Sequence, residues 1–153
     1  MQIWHMKKTH YALLFSLTVL TLLAGCGKTP VTPVSDLIKK NWTARIVTEN
    51  GTAKYTAGAA SNPTPGYSKF ALNMSSPPNV TLTTVDGNTF TGKYELQNDK
   101  TIVLTGLTPV PTGSNGTISF TINSVTESEL VLARTSLDPK TGNSNNVYTL
   151  KTP

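Results

Sequence analysis

Histidine is almost missing from this chain. There are two, His5 and His10, and one cysteine, Cys26, so from residue 27 onward neither residue occurs. That part of the chain is closed to a Ser-His-Asp triad, a Cys-His pair and a histidine-based zinc site. A single cysteine also forms no disulfide within the chain. Charge is sparse, at 14% of residues. Lys54, Lys69, Lys93, Lys100, Lys140 and Lys151 are scattered rather than gathered into a stripe, which gives nucleic acid no footprint. No Gly-rich phosphate loop and no EF-hand spacing occurs. The eight carboxylates are Asp36, Glu49, Asp86, Glu95, Asp99, Glu127, Glu129 and Asp138. Asp86, Asp99 and Asp138 stand in turn contexts, where aspartate has a conformational reason to be. Glu127 and Glu129 flank a hairpin turn. A glycosidase needs two carboxyl groups about 5 to 9.5 Å apart in a cleft, and nothing in the sequence pairs any two of these. No catalytic residue, metal ligand or cofactor is assigned, and the chain is read as a non-enzyme.

Long apolar runs are also scarce. The one that exists, Tyr11 to Ala24, has 14 residues. As a helix it spans about 21 Å, short of a bilayer core of about 30 Å. Lys7, Lys8 and His10 precede it, and no acidic residue occurs before Asp36. A basic segment, a short apolar run and a small-residue exit make a secretory signal, placed at residues 1–25. The run ends in Leu23-Ala24-Gly25-Cys26. This resembles the lipobox of bacterial lipoproteins. The resemblance implies cleavage before Cys26, a diacylglyceryl thioether on its sulfur, and a further acyl chain, such as palmitate, on the new amino group. One acyl chain holds a protein to a membrane marginally, and two or three hold it firmly. Residue 27 is glycine, not the aspartate that retains such lipoproteins in the inner membrane. The resemblance therefore implies the outer membrane, facing the periplasm.

From Cys26 to Pro153 there are 128 residues, with 11 Lys/Arg against 8 Asp/Glu. That length suits one domain. Residues 26–34 form a Pro-containing tether, and 35–153 the domain. Ser35 is positioned to cap a brief helix over 36–40. Beyond it, β-branched and aromatic residues alternate with polar ones, punctuated by Gly, Asn, Asp and Pro. Strands are predicted at 42–48, 52–58, 67–73, 79–85, 88–97, 100–106, 116–125, 129–135 and 146–151. Asp86-Gly87 suits a two-residue hairpin turn, as does Asn50-Gly51, with a third turn at 97–100. Longer loops fall at 59–66, 107–115 and 136–145. Phe90, Tyr94 and Leu96 share one face of their strand, as do Ile118, Phe120 and Ile122, and Leu130 and Leu132. These sets are predicted to face a common interior, as packed core or as the lining of a pocket. The fold class is all-β, an antiparallel meander that hides its edges by closing into a small barrel, with one short N-terminal helix.

A short helix, a strand opening with Trp42 and a late strand carrying Arg134 resemble the lipocalin-like domain of small bacterial lipoproteins. In lipocalins a Gly-x-Trp opens the first strand, and an arginine of the last barrel strand packs over that tryptophan. Here Lys40 stands in place of the glycine. The resemblance implies that Trp42 and Arg134 form a barrel-closing cation–π pair, about 6 Å apart. Arg134 shares its face with Leu130 and Leu132 and is expected to point inward. The resemblance also implies a small apolar ligand, lined by Phe90, Tyr94, Leu96, Ile118, Phe120, Ile122 and Leu132. The function expected is a lipid-anchored, periplasm-facing binding module of the envelope. The alternative is an interaction or structural lipoprotein with a solid barrel, its loops touching another envelope protein. The other partner in either case is the membrane, through the lipid on Cys26.

Overall fold

The computed structural model describes residues 31–153. The signal segment, Cys26 and most of the tether lie outside that range. The described chain is antiparallel β-structure: β1 (Asn41–Glu49), β2 (Thr52–Thr56), β3 (Ala71–Ser76), β4 (Asn79–Thr83), β5 (Thr89–Gln97), β6 (Thr101–Thr108), β7 (Ile118–Val125), β8 (Glu129–Arg134) and β9 (Asn146–Lys151). A four-residue helix, α1 (Val34–Leu37), precedes them. Short 3-10 turns stand at Pro65–Lys69 and Pro139–Thr141. From β3 onward each strand pairs with the next, and β9 returns to pair with β1. Strands β1 and β3–β9 thus close an eight-stranded up-and-down barrel. The free edge of β1 is divided: Asn41–Thr43 pair with β3, and Ile46–Glu49 with β2. β2 therefore covers the stretch of that edge that β3 does not reach.

The hairpin turns follow from residue type. Asn50 and Gly51 both have positive φ, 49° and 78°, between the paired residues Glu49 and Thr52. That is the two-residue turn whose twist matches flanking strands. Asn98 and Asp99 also have positive φ, 51° and 55°, and the Lys100 amide donates to the Gln97 carbonyl at 3.0 Å, with three residues between the paired Gln97 and Thr101. The turn at Asp86 differs from expectation. The amide of Gly87 donates to the Thr84 carbonyl at 2.8 Å, and only Gly87 has positive φ, 83°. This is a three-residue loop, a type I turn followed by a left-handed residue. Its geometry is fixed by the Asp86 carboxylate, which accepts from the Thr84 hydroxyl at 2.6 Å and the Asn88 amide at 3.2 Å.

Two boundaries also move. The helix begins at Val34, with Pro33 rather than Ser35 at its cap and no side-chain cap bond. The first turn closes on the Pro33 carbonyl, which accepts from the Asp36 and Leu37 amides at 3.0 and 3.1 Å. The strand expected at 67–73 is a 3-10 turn followed by β3, because Pro65 presets φ for a turn and Tyr67 folds into the core.

The strand phase is interrupted by bulges. In β1 the inward residues are Trp42, Ala44 and then Val47, because Arg45 is an extra residue against β9. In β6, Ile102 and Leu104 face in, and after the left-handed Gly106 the next inward residue is Leu107. Each bulge bends its strand and raises the local twist, which a closed barrel requires. Gly92 serves the same closure. A Cβ there would lie 2.6 Å from the Thr105 carbonyl oxygen, so only glycine lets β5 and β6 approach.

The three predicted sets do meet in one interior. Phe90, Tyr94, Ile118, Phe120, Leu130 and Leu132 are buried, and Leu96 and Ile122 pack against them at the periphery. Trp42, Leu72, Met74, Ile102, Leu104, Leu130, Leu132 and Leu150 have 0% exposure. A void large enough to admit water would leave its lining with accessible surface, so the barrel is filled along these residues. The hydroxyl of Tyr94, one of the residues expected to line a ligand, donates to the Met74 carbonyl at 3.3 Å.

Truncation inside this packing leaves a cavity. Leu132→Ala should cost about 2 to 5 kcal/mol, whereas Thr91→Ala on the outer wall should stay within about 0.5 kcal/mol. Urea unfolding of the two variants checks this.

Candidate functional site

The two ends of the barrel differ in chemistry. At the helix end the plug is apolar. Ile38 is buried, and the Trp42 indole donates to its carbonyl at 3.0 Å. The cation over the Trp42 ring is Lys40, with Nζ 5.9 Å from the centroid. Lys40 also reaches the Glu127 carboxylate at 2.6 Å.

The expected pairing of Trp42 with Arg134 is not made. Thr43 pairs with Lys151 and Lys151 with Glu129, which sets Trp42 level with the start of β8. Arg134 is the last residue of β8. The two are separated by about 20 Å along the strands, at about 3.3 Å per residue. Arg134 does point inward, in phase with Leu130 and Leu132, but at the opposite end.

That loop end holds a buried polar network. Glu49 pairs with Asn146, and Ala133 with Val147, so the last rungs of β1, β8 and β9 bring Glu49, Arg134 and Asn146 together. Above them, residues 135–145 form a strap from β8 to β9. Arg134 Nη1 lies 2.7 Å from Asp138 Oδ2, and each side chain is 7% exposed. The same oxygen accepts from Asn146 Nδ2 at 3.3 Å and from the Tyr148 hydroxyl at 3.4 Å. Asp138 Oδ1 accepts from the Lys140 backbone amide at 3.0 Å. The Ser144 hydroxyl donates to Asn146 Oδ1 at 2.6 Å. Tyr67 donates to Glu49 at 2.8 Å. Arg134 Nε is buried and has no partner.

Burial pushes the Tyr148 phenol above its usual value, and the Asp138 carboxylate adds to the effect. Burial raises Tyr67 as well, with Tyr148 and Glu49 contributing. Both phenols therefore remain donors. Beneath them the rings form one cluster. Phe70 stacks on Tyr148 with centroids 4.5 Å apart, and Phe120 meets Tyr148 edge-on at 6.0 Å.

The strap is fastened on the far side of the mouth. Lys140 Nζ reaches Asp86 Oδ2 at 2.5 Å and the Thr84 hydroxyl at 3.3 Å, and lies 5.0 Å from the Phe90 centroid. Partial burial works to raise the Asp86 carboxyl. The Lys140 ammonium, the Thr84 hydroxyl and the Asn88 amide outweigh it and hold the group below the usual carboxylate range. On the rim, Val110 and Leu137 are 66% and 51% exposed. Their loops touch, since a Cβ on Gly113 would lie 2.7 Å from Pro139.

A concavity of about 560 Å³ lies on the outer wall between Thr81, Thr91, Gly92, Lys93, Thr105 and Gly106. Threonines rather than convergent charged groups line it.

Sequence reasoning assigned Arg134 its direction but missed Asp138, Ser144, Asn146, Tyr67 and Glu49 as its surroundings. One signal was present. Asn146 is in phase with Tyr148 and Leu150, and a polar residue on a core face needs buried partners.

An eight-stranded up-and-down antiparallel barrel with a short N-terminal helix has lipocalin-like form. No family model and no curated protein matches the chain. Two solved structures are similar to it. One is an uncharacterized protein of Bacteroides eggerthii, 13% identical, covering 74% of this chain and 98% of its own, with a TM-score of 0.47. The other is a lipocalin-like protein of Bacteroides uniformis, 16% identical, covering 74% and 96%, with a TM-score of 0.44. The architecture stated here rests on the strand order of this chain itself.

The fastening of the strap carries a pH signature. In the folded chain Asp86 titrates below its unfolded value of about 3.9. Its stabilisation is complete above that value and is lost as the pH falls through the folded one. Asp86→Asn should lower the urea midpoint at neutral pH, and the gap from the parent should narrow below about pH 4. A gap that stays constant down to about pH 2 would show that charge is not what Asp86 contributes.

Proposed function

We propose that this chain is a non-catalytic binding module of the bacterial envelope, anchored through lipid on Cys26 in the outer membrane and facing the periplasm. Its binding end is the loop end of the barrel. The observation that carries this reading is the contrast within the barrel. The centre is filled by side chains with no accessible surface, while charged and polar side chains converge under the strap. A small apolar ligand seated in the centre would have to displace the core, so recognition belongs to the mouth and its rim.

The reading as an interaction lipoprotein with a solid barrel is favoured by a separate observation. Val110 and Leu137 are exposed apolar residues on touching loops. Apolar side chains grouped on a rim suit contact with another envelope protein.

Native mass spectrometry of the protein extracted from its own membrane tests both parts. The expected mass includes acyl groups at Cys26 together with a second, non-covalent species, small molecule or protein. Cys26→Ser should yield unprocessed precursor or a soluble periplasmic form. An unmodified thiol at Cys26 in membrane-derived protein overturns the anchor. An acylated chain that is always bare, under conditions that preserve known complexes, overturns the binding reading.

A further inference from the structure

We infer that the loop end is a receptor for a small amphipathic carboxylate, and that Asp138 on the strap occupies the head-group position in the closed form. The inference rests on reading the loop end as the binding end, and it names the ligand chemistry.

The barrel wall alone supplies the receptor. Arg134 ends β8, and Asn146 and Tyr148 stand on β9. Arg134 Nη1 forms an ion pair with one oxygen, Asp138 Oδ2, at 2.7 Å, and Asn146 Nδ2 and the Tyr148 hydroxyl donate to the same oxygen at 3.3 and 3.4 Å. That oxygen is brought to them by the strap, not by the wall. Two of the three contacts are long for hydrogen bonds. Arg134 meanwhile has a buried Nε–H with no acceptor. A guanidinium presents Nε and Nη as a fork that matches both oxygens of a carboxylate. Asp138 engages Nη1 with Oδ2 and turns Oδ1 to the Lys140 backbone amide. Nη1 lies on the other side of the guanidinium from the Nε–H, so Nε on its own edge is left unmatched. An incoming carboxylate that took both Nε and Nη2 would satisfy a buried donor that Asp138 leaves unpaired.

The charge count fixes the class of head group. One buried arginine is balanced by one carboxylate. Glu49 lies close by, hydrogen-bonded to Tyr67, which is itself within 3.3 Å of Asn146 Nδ2. A dianion such as phosphate would leave negative charge uncompensated beside Glu49, whereas a monocarboxylate restores the balance already present. The body of the ligand is set by what the strap covers. Lys140 lies over Phe90, and the Phe70–Tyr148 stack sits directly below the network. Raising the strap uncovers aromatic faces next to Arg134, which suit an apolar or aromatic tail.

The probe is 4-phenylbutyrate, with 4-phenylbutanamide as its uncharged counterpart, titrated calorimetrically into the acylated protein in nanodiscs. Asp138→Asn should bind the acid at least tenfold more tightly than the parent, because the internal competitor is gone. Lys140→Ala, which unfastens the strap and leaves the wall intact, should also tighten binding, and it carries the test alone if Asp138→Asn does not fold. Adding Arg134→Met to either variant should abolish the gain. The amide should bind weakly throughout. Equal binding of acid and amide, binding indifferent to Arg134, or no binding in a folded variant each overturns the inference. If that happens while the membrane-derived protein still carries a non-covalent partner, the loop end remains the binding end and only the carboxylate assignment falls.

Discussion

Closure of β1 onto β9 sets the terms for the rest of the molecule. The six rungs from Thr43–Lys151 to Glu49–Asn146 turn a meander into a barrel and remove the edges that an open sheet would expose. Eight strands fix the diameter, and at that diameter the interior is just wide enough for side chains to fill it. Trp42, Leu72, Met74, Ile102, Leu104, Leu130, Leu132 and Leu150 do so. Once the centre is full, the polar side chains that still face inward have only the ends to occupy. Arg134 and Asn146, each the terminal inward residue of its strand, meet there. The cost of burying an arginine is met by a carboxylate that the wall itself does not provide. The strap is therefore a consequence of closure.

Much of this was legible in the sequence. Alternation named the inward residues of β5, β7 and β8, and the asparagine-rich turns at Asn50-Gly51 and Asn98-Asp99 carried positive φ as their residue types allow. The direction of Arg134 also followed from its phase with Leu130 and Leu132. What was not legible had two causes. A bulge adds a residue without changing composition, so Arg45 gave no sign that it shifts the phase of β1 from Ala44 to Val47. The partner of Arg134 was hidden differently. Asp138 lies four residues on, across a turn beside proline, where local conformation already accounts for an aspartate. Only the fold reveals that its carboxylate faces inward. The tryptophan-arginine pairing failed for a related reason. The two residues share the inward face, but register sets them at opposite ends, and Lys40 takes the place over Trp42.

The two fastenings of the strap are unequal in a way that bears on how it could move. The outer one, Lys140 with Asp86 and Thr84, is partly exposed on its acidic side, so solvent and salt screen it. The inner one, Arg134 with Asp138, is buried, and breaking it without replacement strands a charge in a dry site. Opening is thus cheap at the outer end and expensive at the inner end. Such a device does not open freely. On the proposed reading it would open when something replaces what the inner carboxylate supplies, because only then is the buried guanidinium never left alone. On that reading, an exchange of one acceptor for another at Arg134 would release the strap. A filled barrel and a binding module are compatible on these terms. The volume needed by a ligand would be obtained at the mouth, by moving 135–145, while the core that holds the barrel together stays in place.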